Sequence, residues 1–136
     1  MTSRRTLLAA VLVSALFTAC AATPTMPSGD GARGTVFRRP LDEAHAAAED
    51  AVAVFGFALD RSEPSHVEGR RPRGGYGGGE AIGIWLEPMG PDRTRVLVDT
   101  GRTFFGGAGQ MRWDAPVLSE MARYLGEPEA QPDTGR

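Results

Sequence analysis

The stretch 80-EAIGIWLEPMGPDRTRVLVDTG-101 alternates twice around a turn. In Glu80–Glu87, Ile82, Ile84 and Leu86 fall on one side, and Ala81, Gly83 and Trp85 on the other. In Arg93–Gly101, Thr94, Val96, Val98 and Thr100 oppose Arg95, Leu97 and Asp99. A period of two is the signature of a strand with one buried face. Between the runs, Pro88-Met89-Gly90-Pro91-Asp92 is turn chemistry. The segment therefore reads as an antiparallel hairpin whose apolar face must be covered by something else.

The cover lies on either side. Pro40-Leu41-Asp42-Glu43 opens a helix: proline suits the first turn, and the acids meet the positive end of the dipole. Leu41, Ala44, Ala48, Ala51, Val52 and Phe55 recur at helical spacing, and Gly56 ends the element. A second helix is capped by Asp114, carries Leu118, Met121, Ala122 and Leu125 as its stripe, and stops at Gly126. Thr35–Arg38 is a short strand, and His66–Arg70 reads as a polar edge strand facing mostly water. A further strand end falls at Phe104 and Phe105, before a glycine-rich loop. The order is β-α-β-β-β-α, an α+β fold with an antiparallel sheet of about four strands and two helices on one face. Its expected core is Leu41, Ala48, Phe55, Ile82, Ile84, Val96, Val98, Leu118, Met121 and Leu125.

The 136 residues hold a single cysteine, Cys20, at the end of an apolar run. Arg4 and Arg5 precede Leu7–Ala19, whose thirteen residues span about 20 Å as a helix, short of the ~30 Å bilayer core. A charged start, a short apolar middle and small residues at the end describe a secretory signal. Phe17-Thr18-Ala19-Cys20 resembles the lipobox of bacterial lipoproteins, with phenylalanine where leucine is usual. The resemblance implies a diacylglycerol on the Cys20 sulfur and cleavage before it. Residues 1–19 are then signal peptide, 20–34 a Pro/Gly/Thr-rich flexible tether, 35–126 the folded domain, and 127–136 a disordered polar tail. Ser3-Arg4-Arg5-Thr6-Leu7-Leu8 is similar to a twin-arginine signal, but a paired arginine in a chain without lysine is better read as the ordinary basic start of a general secretory signal. Residue 21 is alanine rather than aspartate, which by the same resemblance permits the outer membrane, facing the periplasm, in a Gram-negative cell.

All fifteen basic residues are arginine, and lysine and asparagine are absent, a pattern of GC-rich genomes that weakens arguments from arginine alone. Arg70-Arg71-Pro72-Arg73, followed by Gly-rich sequence to Gly79, looks like an RNA-binding segment or a long glycine-rich hairpin loop; export argues for the loop, since a secreted lipoprotein rarely meets RNA, and no nucleic-acid partner is expected. The same Arg70, Arg71 and Arg73 could contact an anionic envelope ligand, peptidoglycan or a lipid headgroup. Against that, the mature chain carries 17 acids and 13 arginines, a net charge of −4.

No catalytic or cofactor pattern appears. His45 and His66 lack a third ligand at metal spacing. There is no G-x-S-x-G; Ser62, Ser65 and Ser119 lie in polar turns or on a helix face; the adjacent Glu49 and Asp50 point different ways. His45 reads as a solvated helix residue. Pro40–Glu43, Gly56-Phe57 and Ile82–Val98 resemble small bacterial lipoproteins of uncharacterised function, and the layout is similar to the helix-grip domains of a β-barrel assembly lipoprotein. Neither resemblance carries catalytic residues, and the expected function is a membrane-anchored, non-enzymatic module, without metal or cofactor, that contacts another envelope protein. Trp85 and Leu97, on the second sheet face, are the expected partner surface.

Overall fold

A computed structural model describes residues 23–28, 34–71, 79–101 and 111–130. Cys20, the signal segment, Arg73, Phe104 and Phe105 lie outside the described residues. The fold is α+β, as expected, with one strand more. The elements are β1 (Thr35–Phe37), α1 (Leu41–Val54), β2 (Ala58–Glu63), β3 (His66–Arg71), β4 (Glu80–Gly90), β5 (Arg93–Gly101) and α2 (Asp114–Leu125). The strands form one antiparallel sheet in the order β1-β5-β4-β3-β2.

The hairpin quoted above is the centre of that sheet. Ile84 faces Val98 and Leu86 faces Val96, which fixes the apolar side toward the helices. The turn is tighter than the sequence indicates. Strand pairing continues through Pro88, opposite Thr94, and resumes at Gly90 after an irregularity, leaving Pro91 and Asp92 as the turn. Proline is tolerated at position 88 because β3 has already ended, with its first residue His66 opposite Trp85, so no neighbour there needs its missing N–H.

β2 and β3 form a second hairpin, and here the sequence reading is corrected. The exposed edge strand is Ala58–Glu63, whose six residues are all exposed. His66–Arg71 lies inside the sheet, with Val67, Glu68 and Gly69 buried. ALDRSE has only Ala58 and Leu59 as apolar side chains, adjacent rather than alternating; backbone pairing with β3 makes it a strand. A bulge between Leu59 and Arg61 and the charges of Asp60, Arg61 and Glu63 discourage further pairing at this edge. The other edge is closed by the chain itself. The Glu129 N–H donates to the Val36 carbonyl at 2.8 Å. The Glu129 carboxylate accepts a two-pronged bond from Arg93, at 2.9 and 2.7 Å, and one from Arg38 at 3.1 Å. Glu129, expected within a loose tail of residues 127–136, is therefore tied to β1 and β5; residues 131–136 lie outside the described set.

Between the helices and the sheet sit Phe37, Val67, Ile82, Ile84, Leu86, Val96, Val117, Met121 and the alanine face of α1. Of the expected core, Leu41, Phe55, Val98 and Leu118 are only partly buried, packed around its margin. Gly69 lets α1 approach: a Cβ there would lie 2.6 Å from Val52 Cγ1 and 2.9 Å from Phe57 Cβ. Trp113, just before α2, is a core residue. It packs on Phe55 and Phe57 with ring centroids 5.3 and 5.2 Å away, and its backbone N–H donates to Thr100 Oγ1.

Candidate functional site

Two surfaces carry the chemistry of this domain, one on each side of the sheet. The first is the side that no helix covers. Alternation puts Trp85, Gly83 and Ala81 of β4, His66, Glu68 and Arg70 of β3, and Arg95, Leu97 and Asp99 of β5 on it. Trp85 and His66 are direct cross-strand neighbours, and their rings stack at 4.7 Å with 12° between planes. Arg61 donates to His66 Nδ1 at 3.4 Å, so the neutral ring carries its proton on Nε2, which faces Glu68 Oε2 at 3.8 Å. Burial, and then the Arg61 charge, hold His66 below its ordinary pKa. Arg70 is shared between Asp60 at 2.8 Å and Glu68 at 2.6 Å, and Arg95 pairs with Glu87 at 3.2 Å.

A strap crosses this side. Pro24 is buried, with its ring over Gly83. A Cβ on Gly83 would lie 2.8 Å from Pro24 Cβ and 2.5 Å from Cη2 of Trp85. Next along, the Thr25 N–H donates to an Asp99 carboxylate oxygen at 3.0 Å. The expected partner surface is thus half occupied. Trp85 is half-buried between His66 and the strap, and Leu97 is only 5% exposed. Pro24 and Thr25, which read as part of a flexible linker, have a defined seat because a glycine in the centre of a strand leaves room for one.

The expected anion-binding arginines are engaged within the domain. Arg71 bonds Glu80, its cross-strand partner, through Nε at 3.0 Å and Nη2 at 2.5 Å, and the Phe55 carbonyl through Nη1 at 2.9 Å. Its guanidinium lies over Phe57 and Trp113, 4.6 and 4.9 Å from the ring centroids. This is a clasp joining α1, the central strands and the approach to α2. Arg70 is held by the two carboxylates named above, and Arg73 lies outside the described residues.

The second surface is a cleft of about 460 Å³ on the helix side, between the start of α1 and the β2–β3 turn. Leu41, Asp42, His45, Ser62 and Pro64 line it. Ser62 lies opposite Val67 and so points toward α1. Its hydroxyl donates to Glu49 Oε1 at 2.5 Å, and its only proton is then used. The bond to His45 Nε2 at 3.1 Å must run from the ring N–H to the serine oxygen. Serine, histidine and carboxylate meet here, but in an order that does not make histidine the base for serine: the acid holds the serine, and the histidine donates. The three residues pin α1 to the edge strand. Neither His45 nor Ser62 was legible as part of a site, since one reads as a solvated helix residue and the other as a turn serine. Only the hairpin register brings them together.

Among the described residues, no group of three or more potential ligands could hold a metal ion, and no helix is long and apolar enough to cross a membrane. No protein-family model matches the chain, and no curated protein matches it.

Proposed function

We propose that this chain is a bacterial envelope lipoprotein, anchored by lipid on Cys20, whose domain is a non-enzymatic module for binding another envelope protein. The lipobox-like Phe17-Thr18-Ala19-Cys20 supports the anchor. One observation carries the interaction reading: the cleft at Leu41, Asp42, His45, Ser62 and Pro64 is open and largely apolar, on the side of the sheet opposite the strap that leads back to Cys20. Leu41 and Pro64 offer an apolar seat, and Asp42 stands at its rim. That combination suits a partner segment presenting an apolar side chain beside a cationic one. The surface proposed for a protein partner is accordingly this cleft rather than Trp85 and Leu97, since Leu97 is buried and Pro24 already sits on part of that side.

The test is site-specific photo-crosslinking in living cells from position 45 of the lipidated protein. A discrete protein adduct that is lost in both Leu41→Asp and Asp42→Arg supports the reading. An adduct indifferent to both substitutions, or none at all from a folded and lipidated protein, contradicts it.

A further inference from the structure

The strap and the anchor together set the orientation of the domain, and this step rests on lipidation of Cys20. Pro24 follows Cys20 by four residues. Fully extended, that is about 15 Å between their Cα atoms. The lipid fixes Cys20 at the boundary of the acyl chains, and the headgroup region above it takes up roughly 5–8 Å of the reach. About 7–10 Å remain between the membrane surface and the seat of Pro24 on Gly83 and Trp85. A packed helix or sheet layer needs ~10 Å or more. No folded partner fits in that gap.

We infer that the helix-free side of the sheet lies against the bilayer surface, with phospholipid headgroups as its partner, so that the cleft on the opposite side faces away from the membrane. The chemistry of this side agrees. Trp85 and His66 form an amphipathic aromatic pair of the kind that settles at headgroup level. Around them both signs are present and the two arginines are paired, Arg70 with Asp60 and Glu68 and Arg95 with Glu87, while Asp99 accepts the Thr25 N–H. Such a surface matches zwitterionic headgroups, which also carry both signs, better than a strongly anionic layer. The linker, which by length alone could hold the domain ~45–50 Å away, is shortened to its first few residues because Pro24 and Thr25 are already bound to the domain.

The experiment uses the full mature chain with its lipid, reconstituted in phosphatidylcholine vesicles that contain headgroup-nitroxide lipid, with tryptophan fluorescence as the readout. Trp113 is buried in the core, so quenching reports Trp85. The expected result is at least ~2-fold quenching that disappears in Trp85→Phe and is little changed by salt. Inserting ten Gly/Ser residues directly after Cys20 adds roughly 15–20 Å of reach, and is expected to abolish most of the quenching while leaving thermal unfolding unchanged. Mass spectrometry of the same sample separates the two layers of the argument. Acylated Cys20 without Trp85 quenching, or quenching indifferent to the spacer, overturns the orientation alone. Absence of acyl chains overturns the anchor and the orientation with it. A photo-crosslinker at position 85 should capture lipid; capture of a protein there would also overturn the inference.

Discussion

Adding one methyl group at Gly83 should release the strap without unfolding the domain. In Gly83→Ala the new Cβ would sit 2.5 Å from Trp85 Cη2 and 2.8 Å from Pro24 Cβ, so both the indole and the proline ring must retreat by about an ångström to regain ordinary contact. The indole can tilt while keeping its stack on His66, but the strap, held only by its seat here and one hydrogen bond to Asp99, is the part that comes away. The ring of Pro24 presents three CH2 groups, worth at most about 2 kcal/mol when buried. The Thr25–Asp99 hydrogen bond adds about 1 kcal/mol. These gains are set against ~1 kcal/mol or more per residue ordered, so the strap is held by a small margin. Loss of about 1–2 kcal/mol should raise its open population ~5–30-fold. The Thr25 amide, a donor to Asp99, reports this directly by hydrogen exchange. Its exchange should accelerate by that factor, while amides of Ile84 and Val96 at the sheet centre stay protected. The control is Gly69→Ala, on the helix side, where the crowding is against Val52 and Phe57 in the core. That change should cost about 1–3 kcal/mol of global stability, ~4–8 °C of melting temperature per kcal/mol, and leave Thr25 comparatively protected. A Thr25 amide that exchanges as freely as an unstructured peptide in the unaltered protein, or that ignores Gly83→Ala, would refute the seat.

Arg71→Ala should lower stability by about 2–4 kcal/mol, because Glu80, only 8% exposed, is left without its main partner; Arg71→Lys should recover only part, since it lacks the fork that reaches both Glu80 and the Phe55 carbonyl, and denaturant unfolding measures both. His66 has its folded-state pKa lowered, so its contribution to stability is complete above pH ~6.5, falls as acidification lets the unfolded chain take up the proton first, and levels below the folded value. Unfolding midpoints between pH 7.5 and 5 should show that decline, and His66→Gln should flatten it. The Glu129 carboxylate is held below its ordinary pKa by Arg93 and then Arg38, so its tie to the domain should persist above pH ~4.5 and loosen as pH falls through the lowered value. Glu129→Gln should loosen it at neutral pH, read as faster exchange of the Glu129 amide that bonds Val36.

The parts of this fold that were legible in the sequence are those with local periodicity. The Ile82/Ile84/Leu86 and Val96/Val98 alternation gave the central hairpin its faces, and the stripes of α1 and α2 gave the cover. β2 was not legible because a strand held by backbone pairing alone, like ALDRSE, leaves no apolar alternation. Trp113 is missing from the expected core because its partners Phe55, Phe57 and Arg71 are distant in the chain and become neighbours only in the fold. The strap was hidden by composition: Pro24 and Thr25 sit in sequence that resembles any linker. One signal could have found its seat. An isolated glycine among β-formers, such as Gly83, marks a place where something approaches the strand closely. Glu129 was hidden in the same way by a polar, proline-containing tail, although its bonds to Arg38 and Arg93 depend on β1 and β5 lying side by side. The cleft was invisible because His45, Glu49 and Ser62 come from a helix and a strand the sequence did not pair.

The anchor is the claim on which the orientation and the envelope setting both depend. Intact-mass and N-terminal peptide mass spectrometry of the protein purified from membranes tests it most directly. The account predicts a chain beginning at residue 20, with the mass of a diacylglyceryl group on Cys20. A chain that retains Met1, or a residue 20 with a free thiol, would contradict it.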